Sequence, residues 1–308
     1  MSTRFDSVIG GSFKLRDGHS MPKIGFGVSE LTNQYEMNAR IRSALEAGYR
    51  LFDVDDKCFE EVFGKALKKH LNSFGLSRED IFITIKIRCV NDPDHVENYL
   101  KESLADLQTS YIDLVLMHNP RIRTEDNIIV KSNEEKIWEQ LGVFQKNGVI
   151  RSIGLSNYCP SGSLRLFMTQ TTLRPAVEQR EFHEYHSNPR DGFVGARIQL
   201  EAYSPRCWTP YNRLIWFKTP PVNCSTEKKI IEDPYVLKMA MKYKQTPQTI
   251  LHSFAYNMNV GVVTKCTAVA EINLRKIVEL RLTSMEMKNL YLTYVLRKKR
   301  ENRKRKLC

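Results

Sequence analysis

No apolar run in the sequence approaches the ~20 residues a helix needs to cross a bilayer. The first stretch, MSTRFDSVIGGSFKLRDGHS, has no apolar core of the kind a secretory signal carries. Both absences lead us to expect a cytoplasmic protein. Cysteine pairing is lacking too: the seven cysteines are odd in number and scattered, with no C-x-x-C pair. That pattern fits free thiols in a reducing compartment better than a disulfide framework. There is no G-x-G-x-x-G either, so nothing announces a Rossmann site.

What is there in excess is positive charge, a net +12, but much of it sits at one end. Residues 297–306, RKKRENRKRK, hold eight basic residues and one acid. Without them the chain is only mildly basic and shows no nucleic-acid footprint. We therefore divide it into a body, 1–296, and a basic tail, 297–308. The tail reads first as a solvated, fraying helix end, and otherwise as a patch for an anionic partner or an import factor. Cys308 is the last residue, not the fourth from the end, so it makes no prenylation box.

At 308 residues the chain has the length of a single α/β barrel. Phe13-Lys14-Leu15 and Met21-Pro22 flank Asp17-Gly18, as in a small hairpin. Short apolar strands then alternate with helical patterns. The strand candidates are Lys23–Val28, Arg50–Val54, Ile81–Ile87, Ile112–His118, Ser152–Leu155, Ala176–Glu181, Gln199–Tyr203 and Gly261–Thr264. Most are apolar throughout, as strands covered on both faces must be. Val96, Leu100, Leu104 and Leu107 mark one face of a helix over Asp94–Gln108. Ile137, Leu141 and Phe144 mark another, which Asn147-Gly148 ends. Thr283-Ser284-Met285-Glu286 is a capping box, and Met287, Leu290, Tyr291 and Tyr294 continue its helix. This order predicts a (β/α)8 TIM barrel with an N-terminal hairpin and extra C-terminal helices. Arg190–Arg197, with two glycines, and the long irregular Arg206–Lys229 fit it least well.

The stretch GYRLFDVDDKCFEEVFGKAL, Gly48–Leu67, organises the rest. Its apolar burst ends on Asp53, and a carboxylate at the C-terminal end of a barrel strand stands where such folds place chemistry. Lys86 and His118 end two later strands. A carboxylate, an ammonium and an imidazole at one barrel mouth make an acid–base site.

With GFG at Gly25–Gly27, the segment Asp113–Pro120 (DLVLMHNP), RSIGLSN at Arg151–Asn157 and PAVEQ at Pro175–Gln179, the chain resembles the aldo-keto reductase superfamily along nearly its whole length. The resemblance implies an oxidoreductase in which a nicotinamide cofactor gives a hydride to a small aldehyde or ketone while a side chain protonates its oxygen. It implies Asp53, Lys86 and His118 as catalytic. Ser156, Asn157 and Gln179 would hold the nicotinamide carboxamide, Tyr203 would stack on the ring with Ser204 beside it, and Lys265 would meet the adenosine phosphate. NADP(H) is the cofactor implied, with NAD(H) as rival because Glu271 stands where the family has an arginine for the 2′-phosphate. A monomer is expected, with no metal; His183 and His186 form only a loose H-x-x-H.

Cys58 departs from the family, standing where the proton-donating tyrosine is expected, five residues after Asp53. The segment is also about one residue short before Gly64. Val28 and Ser29 replace a threonine and a tryptophan, Asn119 a tryptophan, and Cys266 a serine. Arg206-Cys207-Trp208 replaces small residues, and Leu274 and Arg275 replace the acid and amide that contact adenine. A thiol beside a lysine cation should titrate below its usual ~8.5 and so accept protons. Losing a general acid costs ~10²–10⁴ in rate. The sequence therefore implies a weakened reductase, with a pseudoenzyme that keeps the barrel for nucleotide binding or scaffolding as the alternative. Asp53, Lys86 and His118 are then either catalytic or inherited groups that only satisfy one another; Cys58 is either an inert small residue or a reactive thiolate, and His118 could donate the proton in its stead.

Overall fold

All eight strand candidates form strands, and they close on one another. In the computed structural model, which describes residues 4–28, 33–88, 95–118, 134–158, 163–181, 198–203, 230–265 and 274–293, a two-stranded hairpin precedes the barrel. It consists of β1 (Ser12–Lys14) and β2 (Ser20–Pro22), paired antiparallel. Gly18 turns it at φ +91°, in the left-handed region. The barrel strands are β3 (Ile24–Val28), β4 (Leu51–Val54), β5 (Phe82–Arg88), β6 (Ile112–His118), β7 (Ile150–Ser156), β8 (Val177–Glu181), β9 (Gln199–Tyr203) and β10 (Gly261–Lys265). Every neighbouring pair is parallel, and β10 pairs with both β9 and β3 to close the ring. Strand β7 starts two residues before the expected Ser152.

The helices lie outside: α1 (Gln34–Ala47), α2 (Glu60–Leu71), α3 (His95–Asp106), α4 (Glu134–Lys146), α5 (Ser163–Gln170), α6 (Pro234–Tyr243), α7 (Pro247–Asn257), α8 (Leu274–Glu279) and α9 (284–293). Their ends follow from local chemistry. The Asn33 side chain accepts from Glu36 N–H, and Asp233 accepts from Tyr235 N–H just before Pro234. Gly148 ends α4 at φ +77°. The Thr283–Glu286 box forms as expected: Thr283 N–H donates to Glu286 Oε2 at 2.8 Å, and Glu286 N–H donates to Thr283 Oγ1 at 3.3 Å. Tyr294, Asp92-Pro93, residues 190–197 and 206–229, and the tail lie outside the described residues. Among the described residues no helix is long and apolar enough to cross a membrane.

Two cores result. Between strands and helices runs a large apolar shell that includes Phe26, Phe52, Phe63, Ile83, Val115, Leu141 and Phe254. Inside the barrel a smaller cluster joins Leu51, Phe82, Leu114, Leu116 and Val177 to Phe5, Phe13, Leu15 and Met21 of the N-terminal segment. Glycine makes this inner layer possible: a Cβ at Gly154 would lie 2.7 Å from Leu116 Cδ2 and 2.5 Å from the Val177 carbonyl. The hairpin therefore seals the N-terminal end of the barrel. Polar side chains are left to the other end.

Candidate active site

Period-two alternation sends Asp53, two residues beyond Leu51, into the barrel above the apolar plug. Lys86 follows Phe82 and Thr84 on β5 in the same way. Both are buried, Asp53 at 3% and Lys86 at 7% exposure. Lys86 Nζ donates to Asp53 Oδ1 at 2.7 Å and to Asp53 Oδ2 at 2.9 Å. It also reaches Asp55 Oδ1 at 3.0 Å. Burial works against the ammonium, but Asp53 and then Asp55 outweigh it and hold Lys86 well above its ordinary value. The pair is a fixed cation between two carboxylates.

On β6, His118 Nδ1 lies 3.1 Å from Ser156 Oγ on β7, its partner in strand register. Burial first, and the Lys86 charge second, push His118 down to about 4. The imidazole is therefore neutral near pH 7. Asn157 takes φ +65° immediately after β7, a conformation asparagine tolerates, and its N–H donates to the Gln179 carbonyl at 2.9 Å. The turn thus carries Ser156 and Asn157 over the strand ends beside Gln179. Tyr203 ends β9 opposite Glu181 and Val263, and Lys265 ends β10 opposite Gly27. Ser204 and Glu271 lie outside the described residues, as do His183 and His186.

Gln179 is fully buried, and its Nε2 donates to Asp53 Oδ2 at 3.1 Å and to Glu201 Oε2 at 2.9 Å. Its carbonyl oxygen, Oε1, is buried with no hydrogen-bond partner among the described residues. Glu201 is 1% exposed, and burial together with Asp53 raises its carboxyl to about 7. Sequence reasoning missed both Glu201 and Asp55. Each lies two residues from a residue already singled out, Tyr203 or Asp53, so strand periodicity could have placed both on the inward face.

Cys58 lies in a turn of 3-10 helix, Lys57–Phe59, that leads into α2. This turn is pinned from outside: Lys57 Nζ donates to Glu60 Oε2 at 2.9 Å, to Asp106 Oδ2 at 2.6 Å and to Ser103 Oγ at 3.3 Å. Tyr99 OH donates to the Lys86 carbonyl at 2.7 Å and ties α3 to the same strand end. Cys58 itself is exposed. The thiolate expected beside a lysine is not what the surroundings favour. Partial loss of water and then the Asp56 carboxylate push the thiol up, while Arg88 opposes them weakly. The error came from weighing Lys86 alone, whose charge is already matched by Asp53 and Asp55. Cys58 is a protonated thiol at neutral pH.

Residues 23–194 match the model of the aldo/keto reductase family. The chain is 31% identical over 281 residues to the NAD(P)H-dependent D-xylose reductase of Candida tenuis, covering 82% of this chain and 83% of that protein. It is 31% identical over 298 residues to human aldo-keto reductase family 1 member C1, covering 89% and 88% of the two. Among solved structures, the aldose reductase of Schistosoma japonicum superposes with a TM-score of 0.73 at 26% identity over 92% of each chain. An aldo-keto reductase of Bombyx mori, solved with NADP, shares the fold with a TM-score of 0.75 at 24% identity.

Proposed function

The chain belongs to the aldo/keto reductase family, and from that premise we propose that it is a slow NAD(P)H-dependent oxidoreductase reducing small aldehydes or ketones to alcohols. The observation that carries this reading is the buried Gln179 Oε1, an acceptor without a partner among the described residues. A carboxamide, which brings N–H donors, is the group such an orphan suits. Ser156, Asn157 and Gln179 would hold the nicotinamide carboxamide, Tyr203 would stack on its ring beside Ser204, and Lys265 would meet the adenosine phosphate. NADP(H) is the first choice of cofactor, and Glu271 keeps NAD(H) as a rival.

When bound, the reduced ring supplies a hydride to the carbonyl carbon, and the oxygen then needs one proton. Neutral His118 orients that oxygen through a ring N–H but carries no acidic charge at pH 7. Lys86 stabilises the developing negative charge electrostatically. The proton comes from water at the open mouth, or from the protonated Cys58 thiol through such a water, which makes the step slow.

A second reading, a pseudoenzyme that keeps the barrel and a nucleotide, is favoured by one observation. The three N–H donors of Lys86 face Asp53 Oδ1, Asp53 Oδ2 and Asp55 Oδ1, so none is spare until Asp55 swings away. We place the protein in the cytoplasm as a monomer, with 1–296 as the barrel domain. The 297–308 tail would serve as a contact for an anionic partner or an import factor; an unchanged distribution after its deletion would end the import reading.

Turnover of a reactive aldehyde with NADPH or NADH tests the enzyme against the pseudoenzyme. Measurable turnover that falls at least ~10²-fold in His118→Ala supports the enzyme. Undetectable turnover with cofactor bound supports the pseudoenzyme.

A further inference from the structure

Gln179 has two amide protons, and each has a carboxylate acceptor: Asp53 Oδ2 at 3.1 Å and Glu201 Oε2 at 2.9 Å. Both acceptors are buried, Glu201 at 1% and Asp53 at 3% exposure. Gln179 and Glu201 stand directly opposite each other on β8 and β9, so they share the inward face. Turned over, the amide would press its oxygen against Asp53 Oδ2, the carboxylate oxygen to which Lys86 already donates. The pairing therefore decides the orientation chemically, and among the described residues Oε1 is left without a partner.

We propose that Glu201 is a positioning residue: together with Asp53 it fixes the Gln179 amide so that its oxygen, and not its nitrogen, is presented to the ligand. The site then selects a ligand group that donates N–H. A carboxylate or carbonyl oxygen at the same point would meet an acceptor and be turned away. That the donor is a nicotinamide carboxamide rests on the oxidoreductase reading; the orientation of the amide does not.

The variants Glu201→Gln and Glu201→Leu separate these statements. A glutamine at 201 still offers an oxygen to Gln179 Nε2, whereas leucine offers nothing and frees the amide to rotate. In the ligand-free protein carrying nitrogen-labelled glutamine, the Gln179 side-chain protons, assigned by their loss in Gln179→Ala, should exchange slowly with water in wild type and Glu201→Gln. In Glu201→Leu they should exchange quickly. Equal exchange in all three overturns the proposal.

Fluorescence titration then locates the effect on the ligand. Glu201→Leu should weaken NADPH about fivefold to tenfold, the size of one lost hydrogen bond. Adenosine bisphosphate, the half of the cofactor without nicotinamide, should bind unchanged, and Glu201→Gln should stay within about twofold of wild type. Equal weakening of both ligands would mean general damage to the barrel and sink the proposal. Wild type that binds no dinucleotide would end the oxidoreductase reading, while the exchange measurement would still decide how the amide is held.

Discussion

In the reading proposed above, Cys58 takes the place of a longer proton donor, a change in size more than in acidity. Partial desolvation and Asp56 raise the thiol, so it keeps its proton at neutral pH as a donor must. What it lacks is reach, and Lys86 lacks a spare donor because Asp53 and Asp55 engage it. These two defects are separable. Cys58→Tyr alone should restore the long donor but leave Lys86 occupied, for a gain of about tenfold in kcat. Adding Asp55→Ala should free one ammonium proton for the phenol and raise the gain to about a hundredfold. No gain from the double variant would mean that the turn at 57–59 holds position 58 away from the reacting centre.

At the scale of elements, that turn depends on one cation. Glu60 is 1% exposed, and Lys57 supplies its ion pair at 2.9 Å while also binding Asp106 of α3 at 2.6 Å. Lys57→Met would remove the cation from a buried carboxylate and leave it only the Ser103 and Tyr99 hydroxyls, at a cost on the order of 2–4 kcal/mol in urea unfolding. It should also loosen the turn, read as faster reaction of Cys58 with an aromatic disulfide. Unchanged stability would show that Glu60 simply takes up a proton, towards which its burial already pushes it.

The strands themselves were readable because parallel barrel strands are apolar on both faces. Ile112–His118 and Gln199–Tyr203 were delimited to the residue, and Asp53, Lys86 and His118 were found as polar ends of such runs. Glu201 and Asp55 were not. A charged residue within or just after a strand reads as a solvent face unless its two-residue spacing from Tyr203 or Asp53 is followed; Glu201 then falls on the inward side of β9, and Asp55 just beyond β4, where it reaches Lys86. The Cys58 titration was missed for a related reason: sequence gives one neighbouring cation, whereas the fold gives the carboxylates that surround it.

At the scale of the whole molecule, two buried groups oppose each other in their response to pH. Glu201 rises from an ordinary 4.5 to about 7, so the folded state holds a proton the unfolded state has lost. Its contribution is greatest below about 4.5 and is lost as pH climbs to about 7. His118 falls from 6.5 to about 4, so its contribution is present above about 6.5 and is lost as pH falls towards about 4. The two slopes offset each other in wild type. Glu201→Gln should therefore expose the histidine slope, with stability rising by on the order of 1–3 kcal/mol between pH 4 and 7. Melting curves across that range check it, and a slope unchanged from wild type would mean that Glu201 does not titrate there.

The same interior polarity bears on the central claim, that the barrel mouth holds a nicotinamide dinucleotide. The most direct measurement is a fluorescence titration of the full chain with NADPH and with NADH. Saturable binding of at least one below ~1 mM, weakened in Gln179→Leu, is the expected result. No binding of either cofactor below ~1 mM would contradict it.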